Sequence, residues 1–318
     1  MRHTFANPDF EALTKLWNEF HPARYAIDED LLRLNTVQSP VFDWGASSTW
    51  WESGQVCGFV AVKKSAVSLY PGPDQDVAHI SAIVYRDARI GVDMLADVKM
   101  ALRNRGISKL VFGQDSRHFF PGCPIDSKAL QSFLMVEGFT EGGLANDLER
   151  DLADYQNPYP APIPGATMRY VEAEDLPALT EFMEREFPKR WNYDIAHKVR
   201  LEGSTPTVFG LFYGETLEGF ALVQQGTARI PIGGAVWRNS LGPNWGSLGP
   251  IGVSEHLRGQ GAGGALLGAA LEQLKIEGVR QCIIDWTSLV DFYRKFGFEV
   301  TRQYRTMTLN LESNNGLK

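Results

Sequence analysis

The stretch best equipped for chemistry runs Val253-Ser254-Glu255-His256-Leu257-Arg258-Gly259-Gln260-Gly261-Ala262-Gly263-Gly264-Ala265-Leu266-Leu267. An apolar strand enters a glycine-rich turn, and the turn opens a helix with apolar positions at Leu266, Leu267, Ala270, Leu271 and Leu274. Glycines let successive N–H groups converge on one point, the helix N-terminus adds partial positive charge, and Arg258 adds a full one. That combination suits a pyrophosphate. The same glycines would also serve a plain turn that lets strand and helix pack closely. Two other phosphate motifs fit poorly. The turn lacks the Gly-Lys-Ser/Thr of a P-loop. A dinucleotide fingerprint follows the first strand of its βαβ unit, whereas this turn follows several antiparallel-looking strands, although Asp285 could mimic that motif's acidic residue.

About 30 residues after the turn comes Asp291-Phe292-Tyr293-Arg294-Lys295-Phe296-Gly297-Phe298. Together the two segments resemble the GCN5-related N-acetyltransferase (GNAT) superfamily. Its acyl-CoA loop, Arg/Gln-x-x-Gly-x-Gly/Ala, is matched by Arg258, Gly261 and Gly263, and its later Tyr–(three residues)–Gly-Phe signature by Tyr293, Gly297 and Phe298. The resemblance covers Met168–Leu311 well and the first half only as a distant repeat. It implies direct transfer of an acetyl group from acetyl-CoA, used as co-substrate, to a primary amine, without a covalent enzyme intermediate. It also implies that Arg258 and the amides of Gly259, Gln260, Gly261, Ala262 and Gly263 hold the pyrophosphate. Backbone of Ile251 and Val253 would pair with the pantetheine arm, an N–H there polarising the thioester carbonyl. Tyr293 would protonate the leaving thiolate, whose pKa of ~8.5 makes unprotonated departure costly. Read from its neighbours alone, Tyr293 also suits a half-buried core position beside Phe292 and Phe296.

The ammonium of the acceptor must lose a proton. The strand Asn244–Pro250 holds no carboxylate. Asp285, at the end of its own strand, is the candidate base, with ordered water as the alternative. Asp291 reads as structural, since Ser288-x-x-Asp291 resembles a capping box. Glu255 and His256 read as solvated neighbours of the loop.

These residues need elements to position them. The pattern predicts a strand near Met168–Val171, helices over Leu176–Arg185 and Asp194–Arg200, and strands at Thr207–Tyr213, Glu218–Gln224 and Ser247–Val253. A helix over Gly263–Glu277, a strand Gln281–Asp285, a helix Leu289–Phe296 and a strand Tyr304–Leu311 follow. Four prolines between Pro158 and Pro164 predict an extended linker. The halves flanking it resemble each other. Trp50–Val62 overlays Leu211–Val223 at an offset of 161, Leu95–Phe112 overlays Leu267–Ile284 at 172, and Leu134–Leu152 overlays Tyr293–Leu311 at 159. The expectation is a mixed α/β fold of two tandem GNAT-like domains, each a largely antiparallel sheet flanked by helices. Its boundaries are 1–155, a linker 156–166, and a catalytic domain 167–318.

Carried back by 172, Arg258, Gly261 and Gly263 fall on Arg86, Arg89 and Gly91; by 159, Tyr293 falls on Leu134. Arginine fills the place of the central glycine and leucine has no proton to give. The first half is therefore expected to keep the fold without the catalysis, serving structure or acceptor binding. Its extra segment Arg117–Pro124 reads either as a lid over a cleft or as a plug in the core. Trp245 and Trp286 flank the predicted cofactor strands and could line an acceptor pocket.

Composition narrows the classes. Apolar residues are 44% and charged residues 22%, which excludes wholesale disorder. The net charge of −7, with no Lys/Arg run, disfavours nucleic acid. Cys57, Cys123 and Cys282 lack metal-ligand spacing, the histidines form no helical pair, and no metal is expected. No apolar window spans a membrane and the N-terminus is polar, so a cytoplasmic monomer or homodimer is expected. The acceptor stays open among a small molecule, a peptide and a protein lysine. Two other readings remain: an acyl-CoA-binding sensor or scaffold without turnover, and a transferase using another donor, such as a longer acyl-CoA or an aminoacyl-tRNA.

Overall fold

A computed structural model describes residues 1–65, 69, 76–160, 163–202 and 207–311. Ala161 and Pro162 of the expected linker lie outside the described residues. In chain order the first half carries β1 (Arg2–His3), α1 (Phe10–Phe20), α2 (Glu29–Asn35), β2 (Ser48–Glu52), β3 (Gln55–Lys63), β4 (Val77–Tyr85), α3 (Ala88–Arg103), β5 (Lys109–Phe112), β6 (Cys123–Pro124), α4 (Lys128–Val136) and β7 (Thr140–Asp151). The second half carries β8 (Ala166–Tyr170), α5 (Leu176–Glu186), α6 (Arg190–Glu202), β9 (Val208–Tyr213), β10 (Thr216–Gln225), α7 (Arg238–Leu241), β11 (Trp245–Val253), α8 (Ala262–Ile276), β12 (Gln281–Thr287), α9 (Val290–Arg294) and β13 (Glu299–Asn310).

Local chemistry explains the main elements. Asp9 caps α1 by accepting the Ala12 N–H, and its apolar stripe, Phe10, Leu13, Leu16 and Trp17, is buried. Ser53 and Gly54, both at positive φ, turn β2 into β3. α8 buries Leu266, Leu267, Ala270, Leu271 and Leu274 against the sheet of its own half.

The chain folds into two compact units, and they do not follow the expected division at 155 and 167. One holds Met1–Ala145 with Arg302–Lys318, the other Asn146–Thr301. The closing strands are exchanged. β13, which ends the second half of the sequence, pairs antiparallel with β5 in the first unit, Met307 opposite Phe112. Residues 146–151 of β7, which ends the first half, pair with β12 in the second unit, Gln281 opposite Asp151. A 12-residue strand closes each half. Both strands have the same place in the repeat, so either satisfies the open edge it meets.

Within each unit the element order is the same. In the first, β2, β3 and β4 run antiparallel, α3 crosses over, and β5 returns parallel to β4. In the second, β9, β10 and β11 run antiparallel, α8 crosses over, and β12 returns parallel to β11. A parallel pair needs such a crossover.

Two expectations are refined. The linker is not a free spacer: Asn157 bonds Glu272 on α8 at 3.0 Å, and the Lys275 ammonium donates to the Tyr155 carbonyl at 2.8 Å. The Arg117–Pro124 segment is a plug rather than a lid. Phe119, Phe120 and Cys123 have no exposed surface, and the Phe120 ring packs against Trp17, Tyr25 and Tyr304.

Candidate active site

The second unit's parallel pair parts early. β11 and β12 register from Trp245–Gln281 to Ser247–Ile283, and beyond that β11 continues to Val253 beside β10 alone. The Ser254 N–H bonds the Glu218 carbonyl of β10. By the two-residue alternation of a strand, Ile251 and Val253 then turn their N–H and C=O groups away from β10, toward the gap. The Val253 carbonyl accepts from Arg258 Nε at 3.3 Å across that side.

At the end of β11 the chain makes one turn, Glu255–Leu257, and reaches the glycines. Gly261 stands at the N-cap of α8 with φ +87°, a left-handed conformation costly for any residue with a Cβ. No side chain caps the helix there, and the first intrahelical bond runs from Ala265 N–H to the Gly261 carbonyl. The amides of Gly261 to Gly264 precede it and have no acceptor within the helix. A Cβ added at Gly259, Gly261 or Gly263 would meet nothing within 4 Å. The turn is therefore an open, uncapped helix N-terminus, and packing does not require its glycines. That observation favours the ligand-cradle reading over the packing turn, and it fits a pyrophosphate.

Arg258 is half exposed beside this opening. Glu186 at the end of α5 lies 3.6 Å from its guanidinium and accepts the Glu255 N–H at 3.0 Å. Burial opposes ionisation of Glu186, but the Arg185 hydrogen bond, the Glu255 N–H and the Arg258 charge outweigh it and hold its carboxyl below the ordinary value. Glu186 was not legible as a site residue, because nothing in sequence joins α5 to the turn. His256 is exposed and lies 4.0 Å from Glu218.

Asp285, on β12, lies across the gap from β11, and Tyr293 interacts with it electrostatically. Tyr293, on the short helix α9, is 6% exposed and packs with Phe292 and Phe298 in the core beneath α8. Burial, and next the charge of Asp285, push its hydroxyl well above the usual tyrosine range. Its hydroxyl therefore stays protonated, and it lies within electrostatic reach of Asp285. Asp285 sits where β11 and β12 separate: a Cβ at Gly249 would lie 3.8 Å from its Oδ1, and one at Gly233 only 2.9 Å. Asp291 is exposed and pairs with Arg294 at 3.2 Å. The expected Ser288 capping box does not form; Leu289 is the N-cap of α9 and its N–H goes to the Thr287 hydroxyl. Trp245 is buried, and the Trp286 ring lies 4.3 Å from the Arg190 guanidinium of α6. Unforeseen at the site are Asn146 and Asp147 of β7, which bond the end of β12.

Residues 174–298, which contain this turn, Asp285 and Tyr293, match the model of the acetyltransferase (GNAT) family. This region is a GNAT acetyltransferase domain. Solved structures share the fold over nearly the whole chain. A glucosamine N-acetyltransferase region, GCN5-related, of a fungal multi-domain GH3 β-N-acetylglucosaminidase is 21% identical with a TM-score of 0.83, covering 97% of this chain and 38% of that one. The chain thus spans well under half the length of that relative. A GCN5-related N-acetyltransferase from Sphaerobacter thermophilus is 16% identical with a TM-score of 0.69, covering 98% of this chain and 96% of that one. A tandem GNAT protein from the clavulanic acid biosynthesis pathway is 15% identical with a TM-score of 0.71, covering 98% of both chains. No curated protein matches the sequence. Among the described residues of the GNAT domain and the first unit, no helix is long and apolar enough to cross a membrane.

Proposed function

We propose that the GNAT domain transfers the acetyl group of acetyl-CoA directly to a primary amine, while the first unit serves structure or acceptor binding. The observation that carries this reading is the uncapped, open N-terminus of α8 beside Arg258, at the end of the free β11 edge. Arg258 and the amides of Gly259, Gln260, Gly261, Ala262 and Gly263 would hold the pyrophosphate, and backbone of Ile251 and Val253 the pantetheine arm. Acetyl-CoA supplies the activated acyl group. The amine nitrogen attacks the thioester carbonyl, the C–S bond breaks, and Tyr293 gives its proton to the departing sulfur. Asp285, or a water it orders, takes the proton the amine must lose. An N–H of the β11 edge faces the developing oxyanion.

The acceptor is a small amine, a peptide or a protein lysine. The activity named for the fungal relative makes glucosamine the first amine to assay. The test is a calorimetric titration of acetyl-CoA into the protein and into Gly261→Arg, which copies the first half's own residue. One site per chain, lost in the variant, supports the reading. Two sites would make the first unit a working domain, and no binding would remove the transferase reading.

A further inference from the structure

We infer that Asp147, carried by the strand that ends the first half of the sequence, is a positioning residue of the transferase site, holding the bulge that sets Asp285 and Trp286. Its kinetic test rests on the transferase reading; its structural test does not. β7 and β12 pair regularly as far as Leu148 opposite Ile284, but the next pair is Asn146 opposite Thr287. Asp285 and Trp286 together therefore face Asp147 alone. Such a bulge takes one N–H out of the ladder and bends the strand. The Trp286 N–H is the one displaced, and Asp147 Oδ1 accepts it at 3.1 Å. Asn146 Nδ2 completes the repair by donating to the Thr287 carbonyl at 3.0 Å. Trp286 sits at φ +45°, a conformation that a bulky residue keeps only when its surroundings enforce it. Asp147 has no exposed surface and is placed to do so.

The bulge decides which way the side chains face. Cys282 and Ile284 enter the core beneath α8. Ile283 and Asp285 lie on the other face, both against Gly234. Strict alternation would return Trp286 beneath α8. Instead its ring lies under Arg190 of α6, whose Ile195 packs in a cluster with Ile232, next to the glycines that Asp285 touches. The end of β12 thus turns Asp285 and Trp286 together away from the core beneath α8, with the indole held under the Arg190 guanidinium. The first unit meets the same point of the repeat with other groups. Arg305 and Thr306 stand in the places of Asn146 and Asp147, and the β13–β5 register ends at Met307 opposite Phe112. Gln114, in the place of Trp286, also has a positive φ (+64°) but gives its N–H to the Phe120 carbonyl at 3.0 Å.

The test uses the full chain with Asp147→Ala and Asp147→Asn, labelled with [15N]tryptophan. The Trp286 amide is assigned through Trp286→Phe. In Asp147→Ala its signal moves upfield and exchanges faster with solvent; in Asp147→Asn, whose amide oxygen still accepts, it stays near its place. With a working amine, Asp147→Ala lowers kcat by about 10²-fold, as misplacement of a reacting group does, leaves the KM for acetyl-CoA within about twofold, and Asp147→Asn restores most of the rate. An unmoved Trp286 signal in Asp147→Ala overturns the inference, as does a displaced signal with an unchanged kcat. Equal loss in both variants would make the charge, not the hydrogen bond, the cause. If Asp147→Ala does not fold, Asp147→Asn decides, since a displaced signal or a lost rate there overturns it too. A wild-type protein that acetylates no amine removes the transferase reading, and the amide signal still settles whether Asp147 holds the bulge.

Discussion

At the start of α3, the Asp87 side chain accepts the Arg89 N–H at 2.8 Å, so the helix closes its own positive end; at the start of α8, Gly261 carries no cap and leaves that end open. The neighbours follow the same division. Arg86, the counterpart of Arg258, is drawn to Glu19 at 2.9 Å, and Arg89 stands 4.0 Å from Glu52. Gly91 serves packing, because a Cβ there would press on the Tyr85 ring at 2.9 Å, whereas its counterpart Gly263 faces open space. Leu134 is fully buried where Tyr293 stands in the other half. Past the point where β4 and β5 part, the first unit fills its own interior with Asp115, Ser116 and the Arg117–Pro124 plug. The lesson is one of substitution at the helix end: where the second unit leaves the amides of α8 uncapped, the first unit caps α3 with its own carboxylate. The arginine of each unit meets a glutamate, Arg86 with Glu19 and Arg258 with Glu186. A helix N-terminus attracts anions in both cases, and only the availability of an internal carboxylate differs.

The largest effect should come from the first unit's most committed replacement. Lys63 is 1% exposed and donates to Asp115 at 2.6 Å and to the carbonyls of Ser116 and Arg117. Burial pushes Asp115 up, while the Lys63 charge and hydrogen bond pull it below its ordinary value. Lys63→Met takes the ammonium from that buried carboxylate and leaves the Ser81 hydroxyl, 3.0 Å from Oδ2, as its side-chain donor. It is expected to cost about 3–5 kcal/mol, read as a lower denaturant midpoint. Its counterpart at the offset of 161 is Gln224, a neutral side chain bonding the N–H and the carbonyl of Ile232. A loss below about 1 kcal/mol for Lys63→Met would show that the pair is dispensable, and the contrast of plugged and open units would lose its anchor.

Next comes the cap itself. Gly261→Asp copies the Asp87 device into the second unit, placing a carboxylate where the proposed pyrophosphate would sit. Two like charges about 4 Å apart in partly screened surroundings repel by several kcal/mol, so acetyl-CoA affinity should fall by about 10²-fold or more in calorimetry. Unchanged affinity would mean that the open N-terminus is not the anion site.

How much of this was legible follows the range of the interactions. The turn, α8 and the Tyr293 helix were visible, because glycine conformations and apolar periodicity are local. The repeat was visible too, and with it the loss of Gly261 and Tyr293 from the first half. The strand exchange was not: β7 and β13 carry interchangeable patterns, and which edge each one meets leaves no mark in its own residues. For that reason Asp147, at a distant point in sequence, could not be connected with Asp285. Glu186 was hidden likewise. β13 also begins at Glu299 rather than Tyr304, since pairing rather than apolar pattern sets its start.

Tyr293→Phe sharpens the difference at the chemical step. Removing only the hydroxyl should lower kcat by about 10²-fold and leave acetyl-CoA affinity nearly unchanged. Because burial and the Asp285 charge raise its pKa, the alkaline limb of the rate profile should not report Tyr293 in the wild type. Equal rates for both proteins would reduce Tyr293 to the core residue that Leu134 already is.

The smallest effect tests the plug by pH. His21 lies among the rings of Trp17, Phe20 and Phe120, 4.4 to 5.2 Å away, and among the described residues neither ring nitrogen has a hydrogen-bond partner. Burial, only partly opposed by the Asp126 charge, lowers its pKa from 6.5 to about 3. The folded chain then binds fewer protons than the unfolded chain between those values, so stability is full above pH 6.5 and falls as pH drops toward 3. At pH 5 the gap from 6.5 corresponds to about 2 kcal/mol. His21→Phe keeps an aromatic ring and removes the titration. It should narrow the loss of stability between pH 8 and pH 5 by about that amount in denaturant unfolding, with little change at pH 8. A pH dependence identical to wild type would mean that the ring takes up its proton without leaving the fold, and that the first unit is packed less tightly around its plug than the contrast with the second requires.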